Sequence, residues 1–593
     1  MKKIVALLSI VAVFAIAGCG GKEGTPSNQY GLSTKNSVVW WQLSDVTNLI
    51  PYISHDASAP FVYQLIWEPL NNTNPHTQES LPWIASLPEV SEDHLQYTFT
   101  INPAAKWSDG KPITGEDVQF SFKTVFNKLV LDATSLRNYL NSIDSIGYVD
   151  GDPMKVRFYL HEAYFMMDRV LGTGYVPILP KHIFDPEGLM SKFSWADLKS
   201  GGGDQAALKK FADFITSKEA GREPKYIVGS GPYLYKEWIT FDRITVKKNP
   251  NYWAKDLAWG EAYPEEIVFK TINDYNAALT ALKAKEVDVM DRMTPALYQQ
   301  LDVTKQPFIR KDSVYYNRYE YIAWNKERPM FADKKVRWAL SHLINKQKMI
   351  DQVLKGLAKP VTGPIIFTQP DHNPNVPQIE YSPEKARQLL NEAGWTDSDG
   401  DGILDKVING KKVPFKFTFI ANSGNDLRKQ VLLIISEELR KVGITAEVMQ
   451  LEFSVYLENL HTHNFDASIS GLEGNAGATN DLFQTWHSSQ AKNKGSNWHS
   501  FSNAEADQLL ASTRTEFDPA KRKANMGRLQ EILYEEQPVS FLWAQPLFIG
   551  RVDRFDNVEF IRQRPCFAIP YWIVRGAGIT ALPDRPSTVK QSM

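Results

Sequence analysis

The strongest constraint on the fold is the alternation of two hydrophobic periods along the chain. Residues 95–101 read Leu-Gln-Tyr-Thr-Phe-Thr-Ile, the period-two pattern of a half-buried strand. Residues 336–343 instead place their apolar side chains at the spacing of one helix face. Segments of both kinds follow one another through 593 residues, which are too many for one ordinary domain. The sequence therefore predicts a multidomain α/β protein.

Two helix starts carry recognisable capping residues. Thr114 and Asp117 have the spacing of a capping box. Ser382 precedes Pro383, and proline suits the first position of a helix. These signals predict helices that begin directly after Thr114 and Ser382.

The first residues have the order of an export signal. Lys2 and Lys3 precede an apolar run of 14 residues, at positions 4–17. This run is shorter than the ~20 residues of a membrane-spanning helix but fits a signal peptide. Small residues then lead directly to Cys19. The arrangement resembles the lipobox of bacterial lipoproteins, in which the cysteine receives a diacylglycerol and becomes the new N-terminus.

The lipobox implies a boundary at Cys19. Residues 1–18 would be the signal peptide, and Cys19 would be the lipidation site. Residues 19–36 are rich in Gly, Ser, Thr and Asn, so they would form a flexible tether that holds the folded body beside a membrane. The alternative is a plain secretory signal with a chance cysteine.

The second cysteine and the charge exclude other classes of protein. Once Cys19 is lipidated, no second cysteine remains to form a disulfide with Cys566, so we expect a buried, inert thiol and no disulfide framework. The chain has 66 basic and 68 acidic residues. This balance gives no electrostatic reason to expect a nucleic-acid partner.

An acidic loop resembles the first part of an EF-hand calcium site. Oxygen side chains occupy its positions 1, 3, 5 and 9, with Gly402 at position 6. Position 12 is Ile408, where an EF-hand has a bidentate glutamate. We therefore weigh a candidate structural calcium site against an acidic turn that caps the preceding helix. The candidate ligands are Asp397, Asp399, Asp401 and Asp405.

No motif in the sequence indicates catalysis. The chain has no Gly-x-Ser-x-Gly elbow, no His-Glu-x-x-His and no phosphate-binding lysine loop. Four histidines could suggest a metal site, but surface or packed roles are favoured for His461, His463, His487 and His499. We expect no enzyme activity and no required cofactor.

Short motifs mark nearly the whole mature chain. They are residues 107–118 (WSDGKPITGEDV), 179–183 (LPKHI), 229–233 (GSGPY), 249–253 (NPNYW), Asn325 with 333–340 (DKKVRWAL), and 381–395. In this order they resemble the bacterial extracellular solute-binding proteins of family 5. This is the oligopeptide- and dipeptide-binding group that feeds ABC importers.

The family resemblance implies an α/β fold of the periplasmic-binding-protein type. The expected form is a type II, cluster C-like clamp of two lobes with an extra inserted domain, and the ligand lies in the cleft. Two crossing segments join the lobes. The expected limits are 37–60, 225–318 and 545–593 for lobe I, 61–224 for the inserted domain, and 319–544 for lobe II.

The resemblance also places an anchor for the ligand. In peptide-binding members, an aspartate pairs with the amino terminus of the peptide, and the matching stretch here is residues 471–483. The aspartate position holds Asn475, and the aromatic position holds Leu472. Glu473 or Asp481 can supply the missing charge. The change to asparagine favours ligands without a free α-amine, such as modified peptides.

Other ligand contacts are implied on both lobes. The segment that follows the first strand can pair its backbone with an extended ligand. Its candidate residues are Leu43, Ser44 and Asp45. Phe453 and Tyr456 are candidate walls of a side-chain pocket, with ordinary core packing as the alternative.

The sequence thus predicts a substrate-binding lipoprotein that captures oligopeptides and delivers them to the permease of an ABC importer. It would be a monomer, anchored by lipid in the periplasm or at the cell surface. One alternative is the same fold holding a modified peptide, a nickel chelate or a sugar. Others are a secreted hydrolase and a lipoprotein with a structural or chaperone role.

Overall fold

The computed structural model describes residues 30–54, 56, 58–473, 481–492, 495–561, 566 and 568–578. Two large sheets dominate the described chain. The first sheet has seven strands, and its central strand runs parallel to both neighbours. In spatial order the strands are Ile309–Val314, Leu547–Val552, Val289–Met290, Ser37–Gln42, Glu266–Thr271, Arg243–Lys248 and Tyr233–Ile239.

The second sheet has six strands, all from the later half of the chain. In spatial order they are Lys359–Pro360, Val539–Ala544, Arg318–Trp324, Ala467–Glu473, Lys416–Asn422 and Thr445–Leu451. Side chains of Arg318–Trp324 alternate between two buried clusters, one on each face. The sheet is therefore a central layer with helices on both sides.

A third sheet of four strands lies within residues 61–224. Its strands, in spatial order, are Glu89–Val90, Gln96–Thr100, Asp152–Leu160 and Ile143–Val149. One buried cluster joins this region to the first sheet. Three hairpins complete the strands: Asn71–Thr73 with Ser80–Pro82, Asp405–Ile408 with Lys411–Pro414, and Phe555–Asp556 with Ile573–Val574.

Helices occupy the chain between these strands. Before the second sheet they are Ala59–Tyr63, Gly115–Phe126, Thr134–Leu140, Met167–Gly172, Lys181–Phe184, Trp195–Ser200, Gln205–Ile215, Tyr275–Lys283 and Pro295–Gln300. Around the second sheet they are Pro329–Ala332, Lys334–His342, Lys346–Gln352, Pro383–Glu392, Asp426–Arg440, Phe453–His461, Phe483–Trp486, Ala504–Thr515 and Pro519–Glu536.

The two predicted helix starts are confirmed. The Thr114 side chain accepts a hydrogen bond from the Glu116 backbone, and the Asp117 carboxylate accepts one from the Thr114 backbone, which completes the capping box. Ser382 accepts from the backbone of Lys385.

Two short segments connect the first sheet to the second. Residues 315–317 lead from Ile309–Val314 to Arg318–Trp324, and residues 545–546 lead back. The two segments run side by side, because the strands at both of their ends are antiparallel neighbours. In the first sheet Ile309–Val314 pairs with Leu547–Val552, and in the second Arg318–Trp324 pairs with Val539–Ala544. The predicted α/β clamp with two crossing segments is thus the observed architecture.

The part of the predicted tether that the structure describes is packed against the first sheet. Leu32 is buried, and Arg554 donates to the carbonyl oxygens of Ser33 and Lys35 at 3.1 and 3.0 Å. Composition alone assigned residues 30–36 to a tether, but these contacts attach them to the folded body. Cys566 is buried, as predicted.

Candidate functional site

The central strand of the first sheet ends at a topological switch point, where successive connections leave towards opposite edges of the sheet. Ser37–Gln42 has a parallel neighbour on each side: Glu266–Thr271 on one side and Val289–Met290, the next strand along the chain, on the other. In open α/β sheets, ligands bind at such a switch point, beyond the carboxyl ends of the strands. Leu43 and Ser44 follow directly and are exposed. No described residue forms a hydrogen bond with the backbone of either one.

Asp45, the next residue after Leu43 and Ser44, holds this segment in place through hydrogen bonds. Its carboxylate accepts hydrogen bonds from the Trp238 indole at 2.9 Å and from the Phe241 backbone at 3.0 Å. These bonds fix the segment that carries Leu43 and Ser44.

The corresponding strand of the second sheet has a partly unpaired edge. Ala467–Glu473 pairs with Arg318–Trp324 along its whole length. On its other side it pairs with Lys416–Asn422 only at Ala467 and Ser468. From Ile469 onward this edge has no strand partner among the described residues, although the Tyr456 hydroxyl donates to the Ile469 carbonyl at 2.8 Å.

A network of opposite charges lies beside this strand end. Arg318 contacts Glu320 at 3.0 Å and Glu473 at 3.3 Å. Arg428 donates two hydrogen bonds to Glu320, at 2.9 and 3.0 Å. Although burial opposes the charges, these partners hold the pKa of Arg318 well above, and that of Glu320 below, the ordinary value. Each charge of the network therefore has a protein partner.

Asp481 connects the second sheet to residues 61–224. It accepts a hydrogen bond from the Tyr164 hydroxyl at 2.8 Å and contacts Arg514 at 3.3 Å. The Arg514 guanidinium also lies 4.6 Å from the centre of the Tyr164 ring. Asp481 is thus held between the two parts of the molecule.

A cavity of about 110 Å³ lies between these parts. Three predicted site residues line it together: Leu472, Glu473 and Asp481. Across from them the wall is aromatic and comes from the region of the third sheet: Tyr139, Tyr164 and Tyr175. The structure thus brings three of the predicted residues to one cavity.

The electrostatics link this site to the first sheet. Burial raises the pKa of Tyr275, while the charges of Arg292 and Arg318 lower it. Arg292 follows Val289–Met290 in the first sheet, whereas Arg318 begins a strand of the second. Arg318 of the second sheet therefore lies close enough to Tyr275 for its charge to act on that hydroxyl. Arg292 itself is paired with Asp291 at 3.0 Å.

The other predicted residues lie elsewhere or outside the described chain. Tyr456 is only 3% exposed and packs in the core, whereas Phe453 is 55% exposed. Asn475 and Cys19 lie outside the described residues, so their roles stay predictions.

Three carboxylates of the acidic loop converge as the calcium hypothesis requires. Ligand oxygens of Asp397, Asp399 and Asp405 lie within 4.8 Å of one another. Lys412, however, donates to both Asp399 and Asp405, so an ammonium already neutralises part of this charge. Asp401 accepts from the Ile403 backbone at 2.8 Å. A cation would have to displace Lys412, and calcium binding stays a prediction.

The histidines do not converge. His463 bonds to Ser500 at 2.9 Å, and His487 bonds to Ser489 at 2.8 Å. No histidine belongs to a group with metal-binding geometry in the described part of the chain.

Sequence reasoning missed Arg318, Arg514 and Tyr164. Tyr164 lies in no quoted motif, and Arg514 and Tyr164 are brought together by tertiary folding alone. For Arg318 the sequence offered one possible signal: this residue lies at the predicted boundary between the lobes, where the strand Arg318–Trp324 begins.

The comparisons with known proteins identify the family. The model named "Bacterial extracellular solute-binding proteins, family 5 Middle" matches residues 79–494. The chain belongs to this family. The family is a class of solute-binding proteins, as the sequence motifs predicted.

Relatives match over nearly the whole chain. The oligopeptide-binding protein AppA of Bacillus subtilis is 26% identical, over 96% of this chain and 98% of its own. The dipeptide-binding protein of Escherichia coli is 24% identical, over 80% and 82%.

Solved structures of other proteins share the fold. AppA of Bacillus subtilis in complex with a nonapeptide has a TM-score of 0.72 at 26% identity, covering 91% of this chain and 98% of that one. NikA of Brucella suis in complex with Fe(III)-EDTA has a TM-score of 0.74 at 21% identity, covering 91% and 100%. The predicted periplasmic-binding-protein fold is confirmed. Among the described helices, none has the length and apolar character to cross a bilayer.

Proposed function

We propose that this member of the family is the substrate-binding lipoprotein of an ABC importer. It captures oligopeptides in the cleft between the two sheets and delivers them to a membrane permease, without chemical change. The full-length relative AppA, an oligopeptide-binding protein whose solved structure holds a nonapeptide, supports the ligand class.

The observation that carries the proposal is the unpaired strand edge of Ile469–Glu473 in the second sheet. The free backbone of Leu43 and Ser44 lies at the corresponding end of the first sheet. An extended peptide can add itself as a strand to such edges. Backbone hydrogen bonds do not depend on side chains, so this mode suits ligands of varied sequence.

The paired charges suggest how the ligand is held. Arg318, Arg428, Glu320 and Glu473 neutralise one another, and Asp481 is held by Arg514. The aspartate position of the family motif is Asn475. The described cleft therefore offers no unpaired carboxylate for a free α-amine, and the backbone of the ligand supplies most of the affinity.

The first test identifies the ligand and then compares two forms of it. Native mass spectrometry of gently purified protein should detect a bound peptide. Calorimetry then compares that peptide with its N-acetylated form. We expect acetylation to weaken binding by less than about tenfold, because no buried charge pair is lost.

Three results would contradict this proposal. A loss of affinity of about a hundredfold or more on acetylation would show a charged amine anchor. A bound species without peptide fragments would favour a modified solute, a chelate or a sugar. Peptide recovered in cleaved form would favour a hydrolase.

The lipid anchor is tested by a matched pair of cysteine variants. Cys19→Ser should release the protein from membranes, because no diacylglycerol can then be attached. Cys566→Ser is the control and should remain with the membranes. Fractionation followed by immunoblotting measures both, and retention of Cys19→Ser would refute lipidation.

A further inference from the structure

A second, larger cavity lies apart from the cleft. It has a volume of about 240 Å³ and is formed where the first sheet meets residues 61–224 and the chain near Tyr571. No described residue lines both this cavity and the one at Leu472. The volume is several times the ~30 Å³ of a water molecule in the liquid, so a small organic molecule fits.

The wall of this second cavity contains a buried carboxylate. Glu68 is 6% exposed, and its Oε1 accepts hydrogen bonds from the Trp83 indole at 2.8 Å and from the Tyr252 hydroxyl. Its Oε2 has no hydrogen-bond partner among the described residues. Burial raises the pKa of Glu68 to about 7, so near neutral pH about half of these carboxyl groups are ionised, and a bound cation would favour the ionised form.

A second oxygen in the same wall also lacks a donor. Asn71 is fully buried, and its amide nitrogen donates to the carbonyl oxygens of Ala85 and Ser86, each at 3.0 Å. Its Oδ1 has no partner among the described residues. Two acceptor groups without donors are unusual in a buried wall, because each costs free energy unless something donates to it.

Much of the remaining wall is aromatic, and its described residues carry no positive side chain. Trp40, Phe61, Trp83, Tyr252, Trp259 and Tyr571 line it. The described lining residues include a second carboxylate, Glu261, but no Lys, Arg or His. Trp259 has a φ of +69°, a strained conformation for a bulky residue, and strain of this kind is found at ligand sites.

From this wall we infer that the second cavity binds a small organic ammonium ion. Aromatic faces attract a cation through their quadrupoles. The Glu68 carboxylate acts on it through the weakly screening interior. The inferred site is independent of the peptide site proposed above.

The test compares two probes of nearly the same shape. Choline carries a quaternary ammonium, and 3,3-dimethylbutan-1-ol has carbon in place of the nitrogen. Calorimetry on the full mature chain should show choline binding at least about tenfold more tightly than the alcohol. A crystal structure with choline should place it beside Glu68.

Variants separate the second cavity from the cleft. Glu68→Gln keeps the shape but removes the charge, and it should weaken choline binding about tenfold or more. Glu473→Gln changes the cleft and should leave choline binding as it is. Saturation with the bound peptide should not displace choline.

Three outcomes would overturn the inference, and all three are measured on the unaltered protein. One is the absence of saturable choline binding up to about 10 mM. Another is equal affinity for choline and the alcohol, which would indicate a merely apolar or water-filled cavity. The third is choline located in the cleft. Because the two-probe comparison needs no variant, the inference stays testable even if Glu68→Gln does not fold.

Discussion

At the scale of single residues, His499 is a buried histidine whose ring has no hydrogen-bond partner among the described residues. It is 1% exposed. Trp486 packs against it, with ring centres 4.7 Å apart. Burial lowers the pKa of His499 to about 3, so the imidazole is neutral in the folded protein.

We expect His499→Leu to stabilise the protein by roughly 1–3 kcal/mol at pH 7, because two unpaired polar atoms leave the core. The gain should grow on acidification. The folded pKa is depressed, so the wild type loses stability as the pH falls from about 6.5 towards 3. Urea unfolding at several pH values measures this.

The control for His499→Leu is His161→Asn, which changes a histidine paired with Asp144 at the surface. It should show no comparable gain in stability as the pH falls. A destabilised His499→Leu protein would mean that the imidazole has a partner, such as a buried water.

At the scale of elements, one carboxylate joins three segments around the second sheet. Glu438 lies on helix Asp426–Arg440 and is 4% exposed. It accepts hydrogen bonds from Lys348 at 2.9 Å, Tyr381 at 2.7 Å and Lys441 at 3.0 Å. Burial would raise its pKa, but these donors outweigh burial and lower the pKa to about 2.

Glu438→Gln should lower the free energy of unfolding by roughly 1–3 kcal/mol at pH 7, since a shift of one pKa unit is worth ~1.4 kcal/mol. The stabilisation is fully present above pH 4.5 and is lost as the pH falls towards 2. The two proteins should therefore converge in acid. Glu437→Gln, at an exposed neighbour, is the control, and an equal effect of both variants would contradict this role.

The elements themselves follow closely from the sequence. Periodicity and caps predicted the strand Gln96–Thr100 and the helix Pro383–Glu392, because those signals are local. The order of strands in a sheet, by contrast, depends on contacts between segments that are far apart in the sequence. Val289–Met290 is only two residues long and pairs with Leu547–Val552, so no pattern in the sequence reveals it.

At the scale of the whole molecule, Asp481 holds residues 61–224 against the second sheet through Tyr164. We expect Asp481→Asn to weaken this contact and favour an open cleft. Peptide affinity should fall about tenfold, as for the loss of a hydrogen bond to a charged group. Small-angle scattering of the ligand-free protein should show a larger radius of gyration.

The acetylated peptide distinguishes two roles of Asp481: holding Tyr164 in position, or contacting the amine of the ligand directly. If Asp481 acts through Tyr164, free and acetylated peptides should lose the same factor. If only the free peptide loses affinity, Asp481 holds its amine. Asp144→Asn removes a carboxylate paired with Lys199 within the same region, and it should change neither measurement.

The site was predictable only in part. The family motif placed Leu472, Glu473 and Asp481 at one cavity, because they lie within one stretch of chain. The partners that neutralise two of them, Arg318 and Arg514, come from distant segments. Sequence therefore indicated which residues meet at this cavity, but not that the charges there are already compensated.

The two crossing segments also determine when the molecule can fold. Ile309–Val314 and Val289–Met290 both pair with Leu547–Val552, which the ribosome makes about 230 residues after Val314. At ~5–20 residues per second, synthesis of that interval takes roughly 10–50 s. During this time the first sheet has an open edge that another chain could join. We therefore expect the first sheet to need protection from aggregation until Leu547–Val552 has been made.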